Sequence, residues 1–103
     1  MEVVYHAHNA VISDRMKERA TRGLSKISQR IDRAVDATVR FHQDGPTRRV
    51  EIRLNAPGQR DLVAEGSARY YGPALKIALA HLETQVGHVR RSPKDKGSRL
   101  VPA

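Results

Sequence analysis

Positive charges recur at regular spacing between residues 15 and 33. Six of the seven Lys and Arg residues in this stretch follow one another at steps of four, three, four, four and three residues. Because a helix turns by about 100° per residue, all six side chains would fall within roughly 80° of one another. We call this set the basic stripe, and it consists of Arg15, Arg19, Arg22, Lys26, Arg30 and Arg33. Such a line is typical of a surface that binds successive phosphate groups, although many charged helix faces are only solvated.

The overall charge favours a polyanionic partner. The 103 residues include 19 Lys and Arg against 11 Asp and Glu, which gives a net charge of +8. The length indicates a single domain that is large enough to bury an ordinary core. Nucleic acid is the leading candidate partner, because its backbone presents a dense array of negative charges.

The sequence lacks the usual features of membrane and secreted proteins. There is no apolar run of about 18 residues and no Trp, so we expect no membrane partner. The first ten residues, MEVVYHAHNA, lack a charged region followed by an apolar run, and this predicts a cytoplasmic protein. The absence of Cys excludes disulfides, thiolate nucleophiles and zinc-thiolate sites.

Catalytic patterns are weak. His6 and His8 share one face of a predicted strand, and His42 points outward from the next one. A three-imidazole metal site would require these strands to be neighbours, and no carboxylate accompanies the three residues. Nothing resembles the strand-to-helix turn that carries a catalytic serine in hydrolases. We therefore predict no metal, no cofactor, no small-molecule substrate and no enzymatic activity.

Hydrophobic periodicity predicts two helices and four strands. Ser13 is a good N-cap for a first helix that runs to about Ile31, and Gly72-Pro73 is typical of the start of a second helix that ends near Arg91. The predicted strands cover residues 2–8, 35–42, 48–55 and 62–66, with a turn at 43–47. The order β-α-β-β-β-α predicts an α+β fold, a four-stranded sheet with both helices packed on one face.

Each helix has one apolar stripe for the core. Gly23 interrupts the first helix, and we expect a close contact with the sheet there. The predicted stripes are Met16, Ala20, Leu24, Ile27 and Ile31 on the first helix and Leu75, Leu79, Leu82, Val86 and Val89 on the second. Tyr70-Tyr71, just before the second helix, favours a packing anchor over a binding site.

A second group of cations follows the second helix. It consists of Arg90, Arg91, Lys94, Lys96 and Arg99. If the helices lie side by side, their outward flanks and this tail would form one positive surface. His81 and His88 are seven residues apart and so face the same way, where they are either solvated or able to contact phosphate when protonated. We predict a domain at residues 1–91 and a flexible basic tail or linker at 92–103.

Three segments resemble one protein family. The run AVISDRMKERATRGLSKISQRIDR is similar to the first helix of the bacterial ribosome hibernation promoting factors, also called ribosome-associated inhibitor or sigma-factor modulation proteins. The segment VAEGSARYY resembles the family's strand end with an Ala-x-Gly followed by an aromatic, and HLETQVGHVRR resembles its second helix. The resemblance covers almost all of residues 2–96.

This resemblance implies a fold similar to double-stranded RNA binding domains and a ribosome-associated translation inhibitor. Family members occupy the channel of the small subunit where mRNA and tRNAs bind, and they keep ribosomes idle in stationary phase or stress. The basic flanks of both helices contact ribosomal RNA. Carried over by position, the contacts on the first helix are Arg19, Arg22, Lys26 and Arg30, and those on the second are Arg90 and Arg91.

Some positions depart from the family pattern. The family's Asp-x-Tyr before the second helix is replaced by residues 69–73, RYYGP, and its basic positions on that helix are His81, Thr84 and His88. Three alternatives stay open beside the ribosomal interpretation. One is a regulator that binds RNA or DNA outside the ribosome through the same surface. The second is a His-based metalloenzyme, which a stoichiometric metal bound by the purified protein would support. The third is pairing of two chains through an exposed sheet edge, which would give a homodimer.

Overall fold

The predicted order of elements is confirmed. The structure is a computed structural model that describes residues 2–31, 36–56 and 60–99, with side chains of the last helix described as far as His88. The elements are β1 (Glu2–His8), α1 (Asp14–Ser28), β2 (Asp36–Asp44), β3 (Thr47–Asn55), β4 (Leu62–Ala68) and α2 (Tyr71–Arg99).

The four strands form one mixed sheet in the order β1-β2-β3-β4. Strand β1 pairs parallel to β2, whereas β2 with β3 and β3 with β4 are antiparallel. Parallel neighbours need a long crossover, and α1 supplies it. Asp44 pairs with Thr47, so β2 and β3 are joined by a two-residue turn in which Gly45 has a φ of 60°. This left-handed φ favours glycine and agrees with the turn predicted at 43–47.

One face of the sheet and the inner sides of both helices form the core. The buried strand residues alternate as predicted, and they are Ala37, Val39, Phe41, Val50, Ile52, Leu54, Leu62 and Ala64. The helices contribute Ala20, Leu24, Ile27, Ala74, Leu75, Ala78, Leu82 and Val86. Both helices therefore pack on one face, as expected. Met16, Ile31 and Leu79 are only partly buried at the margin of this core.

We call the opposite side of the sheet the open face. It carries the other set of alternating strand residues, including His6, His8, Arg40, His42, Glu51 and Glu65. Within residues 2–31, 36–56 and 60–99, no helix covers this face.

Helix α1 begins as predicted and ends earlier. The Met16 amide donates a hydrogen bond of 3.1 Å to Oγ of Ser13, which confirms the N-cap. The prediction that the helix runs to Ile31 is wrong, because α1 ends at Ser28. The amides of Arg30 and Ile31 bond to the carbonyls of Ile27 and Ser28, each at 3.0 Å. Bonds between residues three apart are typical of a 3₁₀ turn, so the α-helical hydrogen bonding ends here.

Gly23 marks the contact between the two helices. A Cβ at this position would lie 2.7 Å from Cδ1 of Leu79 in α2. The predicted contact of Gly23 with the sheet is therefore wrong, because the neighbour is the other helix. A sequence pattern shows that a helix tolerates a glycine, but it does not show which element comes close.

Helix α2 lies directly against strand β4 at Gly66. A Cβ there would lie 2.6 Å from the Ala78 nitrogen and 2.9 Å from Cβ of Ile77, and it would also meet the Ala74 carbonyl oxygen. Two of these neighbours are backbone atoms, which cannot rotate away. Only glycine permits this approach of helix and strand.

Helix α2 is longer than expected. It begins at Tyr71, before the predicted Gly72, and continues to Arg99. The predicted end near Arg91 is wrong, because the helix continues past Pro93 even though this residue lacks a backbone donor. The side chain of Val89 and all of residues 100–103 lie outside the described part. The division into a domain at 1–91 and a tail at 92–103 stays a prediction.

The contact at Gly66 can be tested by adding one methyl group. We expect Gly66→Ala to lower the free energy of unfolding by at least about 2 kcal/mol, because the helix backbone must move to make room. Gly87→Ala is the matched control within α2, since a Cβ there meets nothing within 4 Å. It should stabilise the protein by about 0.5–1 kcal/mol through helix propensity. Equal effects of the two changes in urea unfolding would contradict the close approach.

Candidate nucleic-acid interface

Five residues of the basic stripe form an exposed row along α1 and the turn after it. Ala20, Leu24 and Ile27 occupy the buried side of the helix. Arg15, Arg19, Arg22, Lys26 and Arg30 are all exposed. Arg33 lies outside the described residues. The structure thus brings together five of the six cations that the spacing predicted for one surface.

The basic stripe runs along the side of α1 that is next to α2. The Arg19 guanidinium lies against the first turn of α2, where a Cβ on Gly72 would be 3.2 Å from Arg19 Nη1. Further along, Arg30 Nη1 lies 3.0 Å from Oε2 of Glu83. From the first contact to the second, the residue numbers rise along both α1 and α2, so the two helices run parallel. The cations therefore border the groove between the helices.

Three cations in the middle of the basic stripe keep their charge uncompensated. Among the described residues, Arg19, Arg22 and Lys26 form no ion pair. Arg30 differs, because Glu83 neutralises it in part. Both side chains of that pair are about half exposed, so it stabilises the fold by only about 0.2–1 kcal/mol. Arg15 is also exposed and forms no ion pair among the described residues, so the uncompensated part of the basic stripe extends from Arg15 to Lys26.

Lys76 is a further cation on this surface that the sequence analysis missed. It is exposed and follows Gly72 by four residues, so it lies on the same side of α2 as the contact with Arg19. The signal was present in the sequence, since Gly72, Lys76, Leu79 and Glu83 have the spacing of one helix face. What could not be known was that this face would border α1.

His81 and His88 lie on the other flank of α2. Nδ1 of His81 is 2.9 Å from the carbonyl oxygen of Glu65 in β4, and since a carbonyl only accepts, Nδ1 is the donor. Gln85 Nε2 likewise donates to the Val63 carbonyl at 2.5 Å. His88 follows His81 by two turns and is exposed on that flank. The structure does not bring these histidines together with the basic stripe, and their predicted role in RNA binding stays a prediction.

For the predicted cations at the end of α2, the structure describes the backbone only. Arg90, Arg91, Lys94 and Lys96 lie within the helix. Their side chains are outside the described residues. Whether they extend the positive surface, as the sequence analysis expects, stays a prediction.

Tyr71 is a packing anchor, as predicted. Its ring meets Phe41 edge-on at 5.5 Å between centroids, and the Arg48 guanidinium lies 5.7 Å from the Tyr71 centroid. Arg48 also donates a 3.0 Å hydrogen bond to the Arg69 carbonyl, which holds the chain before α2. Burial raises the pKa of the Tyr71 hydroxyl, although Arg48 opposes this shift. The neighbouring Tyr70 is 65% exposed.

Fold and surface define a small basic α+β domain with a row of exposed cations along its first helix. The family model described as Sigma 54 modulation protein / S30EA ribosomal protein matches residues 3–93. The chain therefore belongs to this family, as the resemblance implied. No curated protein matches it significantly.

Two solved structures are similar to this chain. One is a ribosomal subunit interface protein from Coxiella burnetii, with a TM-score of 0.81, 19% identity and coverage of 87% of this chain and 98% of that one. The other is the N-terminal domain of Thermus thermophilus Protein Y, with a TM-score of 0.79 and 25% identity. This match covers 87% of this chain and 100% of the Protein Y domain. Among the residues that the structure describes, no helix is long and apolar enough to cross a membrane.

The bonds from α2 to the edge of β4 can be tested by removing both donors. We expect the double change His81→Ala and Gln85→Ala to lower the free energy of unfolding by about 1–2 kcal/mol, since the Val63 and Glu65 carbonyls lose their partners. Thr84→Ala with His88→Ala is the matched control on the same helix, and it should cost less than about 0.5 kcal/mol. A control that destabilises as much as the test pair in urea unfolding would contradict a structural role for His81.

Proposed function

We propose that this chain is a translation inhibitor that binds the small ribosomal subunit and keeps idle ribosomes inactive in the cytoplasm. The observation that carries the proposal is the exposed run of Arg19, Arg22 and Lys26, which form no ion pair within the described part of a chain of this family. The family description, which names a ribosomal protein, and the similar structure described as a ribosomal subunit interface protein support the ribosome as the partner.

Binding would use charge and shape more than base identity. Two turns of α1 present Arg19, Arg22 and Lys26 at intervals that suit the phosphates of folded RNA, and Lys76 adds a cation across the groove. Aromatic stacking is poorly supported. Phe41 is buried, the Tyr5 hydroxyl bonds to the Lys17 carbonyl, and Tyr71 is packed. Of the four aromatic residues only Tyr70 is largely exposed, and a single ring does not form a platform for successive bases. Contacts to 16S-type ribosomal RNA would therefore be mostly to its backbone.

Inhibition would follow from occupancy. We place the domain in the decoding channel of the small subunit, where it would fill space that mRNA and tRNA require. Such a protein needs no catalytic group and no cofactor, and it would be displaced when the natural ligands return. In this arrangement the basic stripe, including Arg15, Arg30 and Arg33, supplies the main contacts. Arg90, Arg91, Lys94 and Lys96 would extend them along α2.

Pairing of two chains remains a possible addition to this function. At β4 the outer carbonyls of Val63 and Glu65 are already bonded by side chains of α2. That edge is therefore protected, and an edge-to-edge homodimer would form through β1. Sedimentation velocity over a range of protein concentrations would detect it as a mass that rises with concentration.

Charge reversal on α1 tests the ribosomal proposal. We expect the triple change Arg19→Glu, Arg22→Glu and Lys26→Glu to abolish co-sedimentation with isolated small subunits and to leave the circular dichroism spectrum unchanged. All three side chains are exposed, so the fold should tolerate the change. A milder triple change to Gln should reduce the slope of log Kd against log salt by about 2–3, because each lost phosphate contact removes roughly 0.7–0.9.

The matched control reverses three other exposed arginines. Arg40 lies on the open face, and Arg60 and Arg69 flank the two ends of β4. Changing these three to Glu alters the net charge by the same amount, so it controls for general attraction to polyanions. This variant should keep most of its binding to small subunits. Equal loss in both triple variants would mean that net charge alone, and not the basic stripe, drives the association.

A further inference from the structure

The open face of the sheet brings two imidazoles side by side. His8 of β1 and His42 of β2 are directly paired in the parallel register of these strands. Their ring centroids are 5.9 Å apart. The neighbouring strands that a histidine site would require are therefore present, and they lie on the face opposite both helices.

The distance between the rings fits two ligands of one metal ion. Zinc binds imidazole nitrogen at about 2.0–2.1 Å, so two rings on one ion have centroids roughly 5–6 Å apart. The rings are tilted by 57° to one another, so they are not stacked. His8 is exposed and His42 is half-buried, so an ion could reach both from solvent.

The surroundings add one possible ligand and one opposing charge. A shallow depression is lined by His6, His8, Arg40 and His42. His6 precedes His8 by two residues on the same face of β1, although among the described residues no three ligating groups converge. Arg40 is opposite His6, and its positive charge weakens the attraction for a cation. Arg49, opposite His42, lies 3.8 Å from Asp44 and 3.6 Å from Glu65, which partly compensate it.

The sequence analysis predicts no metal, but the paired register of β1 and β2 brings two imidazoles together. We propose that His8 and His42 form a two-imidazole site for Zn²⁺ or a similar borderline divalent cation, with water completing the coordination. Imidazole is a favoured ligand of zinc, copper and nickel, whereas magnesium and calcium prefer oxygen. The site lies on the opposite side of the sheet from the basic stripe, so metal binding and RNA binding would use separate surfaces. This inference does not depend on the proposed ribosomal function.

Calorimetric titration of the untagged protein with Zn²⁺ at pH 7.5 tests the site. We expect saturable binding of one ion per chain, weakened at least about tenfold by His8→Ala and by His42→Ala. His88→Ala is the matched control, an exposed histidine on α2, and it should bind Zn²⁺ as the unchanged protein does. Mg²⁺ should give no signal at the same concentrations.

Two further readouts sharpen the test. Arg40→Gln should strengthen Zn²⁺ binding a few-fold because it removes a like charge, and Zn²⁺ should raise the melting temperature of the unchanged protein but not of His8→Ala. No saturable Zn²⁺ binding by the unchanged protein would overturn the proposal. So would binding that survives both histidine changes, binding that is lost in His88→Ala, or weaker binding in Arg40→Gln.

Discussion

The rest of the structure depends on the direct contact between the backbone of α2 and that of β4. Gly66 has no side chain, so Ala74 and Ala78 of the helix can lie against the strand. This approach turns Leu75, Leu82 and Val86 into the core. It also leaves room on the same face of the sheet for α1, and Gly23 then accepts the side chain of Leu79 between the helices. A Cβ at Gly66 would push α2 away from β4, whereas a Cβ at Gly23 would meet only the Leu79 side chain, whose end can rotate.

The position of the charges is a consequence of this packing. Ala20, Leu24 and Ile27 fix the rotation of α1 by turning into the core, so the cations must lie on the outer side that borders α2. Glu83 of α2 pairs with Arg30 and leaves the cations from Arg19 to Lys26 free to meet an external anion. The helix layer thus carries the row of exposed cations that we propose as the RNA-binding side of the domain. The open face of the sheet is chemically different, because it carries a mixture of acids, bases and the two paired histidines.

Local features could be predicted from the sequence, whereas contacts between distant elements could not. The Ser13 cap, the alternation around Val39 and Ile52, and the spacing of the basic stripe depend on near neighbours in the chain, and the structure confirms them. The partner of Gly23, the bond from His81 to Glu65 and the position of Lys76 depend on which faces of α1, α2 and β4 meet. The family resemblance gave the fold as a whole, but it did not give these contacts.

The most direct test of the central claim is binding of the purified protein to isolated small subunits, with and without mRNA and initiator tRNA. Large subunits and free duplex RNA are measured beside them over a range of salt concentrations. If the domain occupies the decoding channel, one copy should bind to each small subunit. This binding should be lost when mRNA and tRNA are added. Equal binding to small subunits, large subunits and duplex RNA would contradict this claim, if that binding is abolished by salt and unchanged by tRNA. The basic stripe would then be a general polyanion-binding surface on a shared fold.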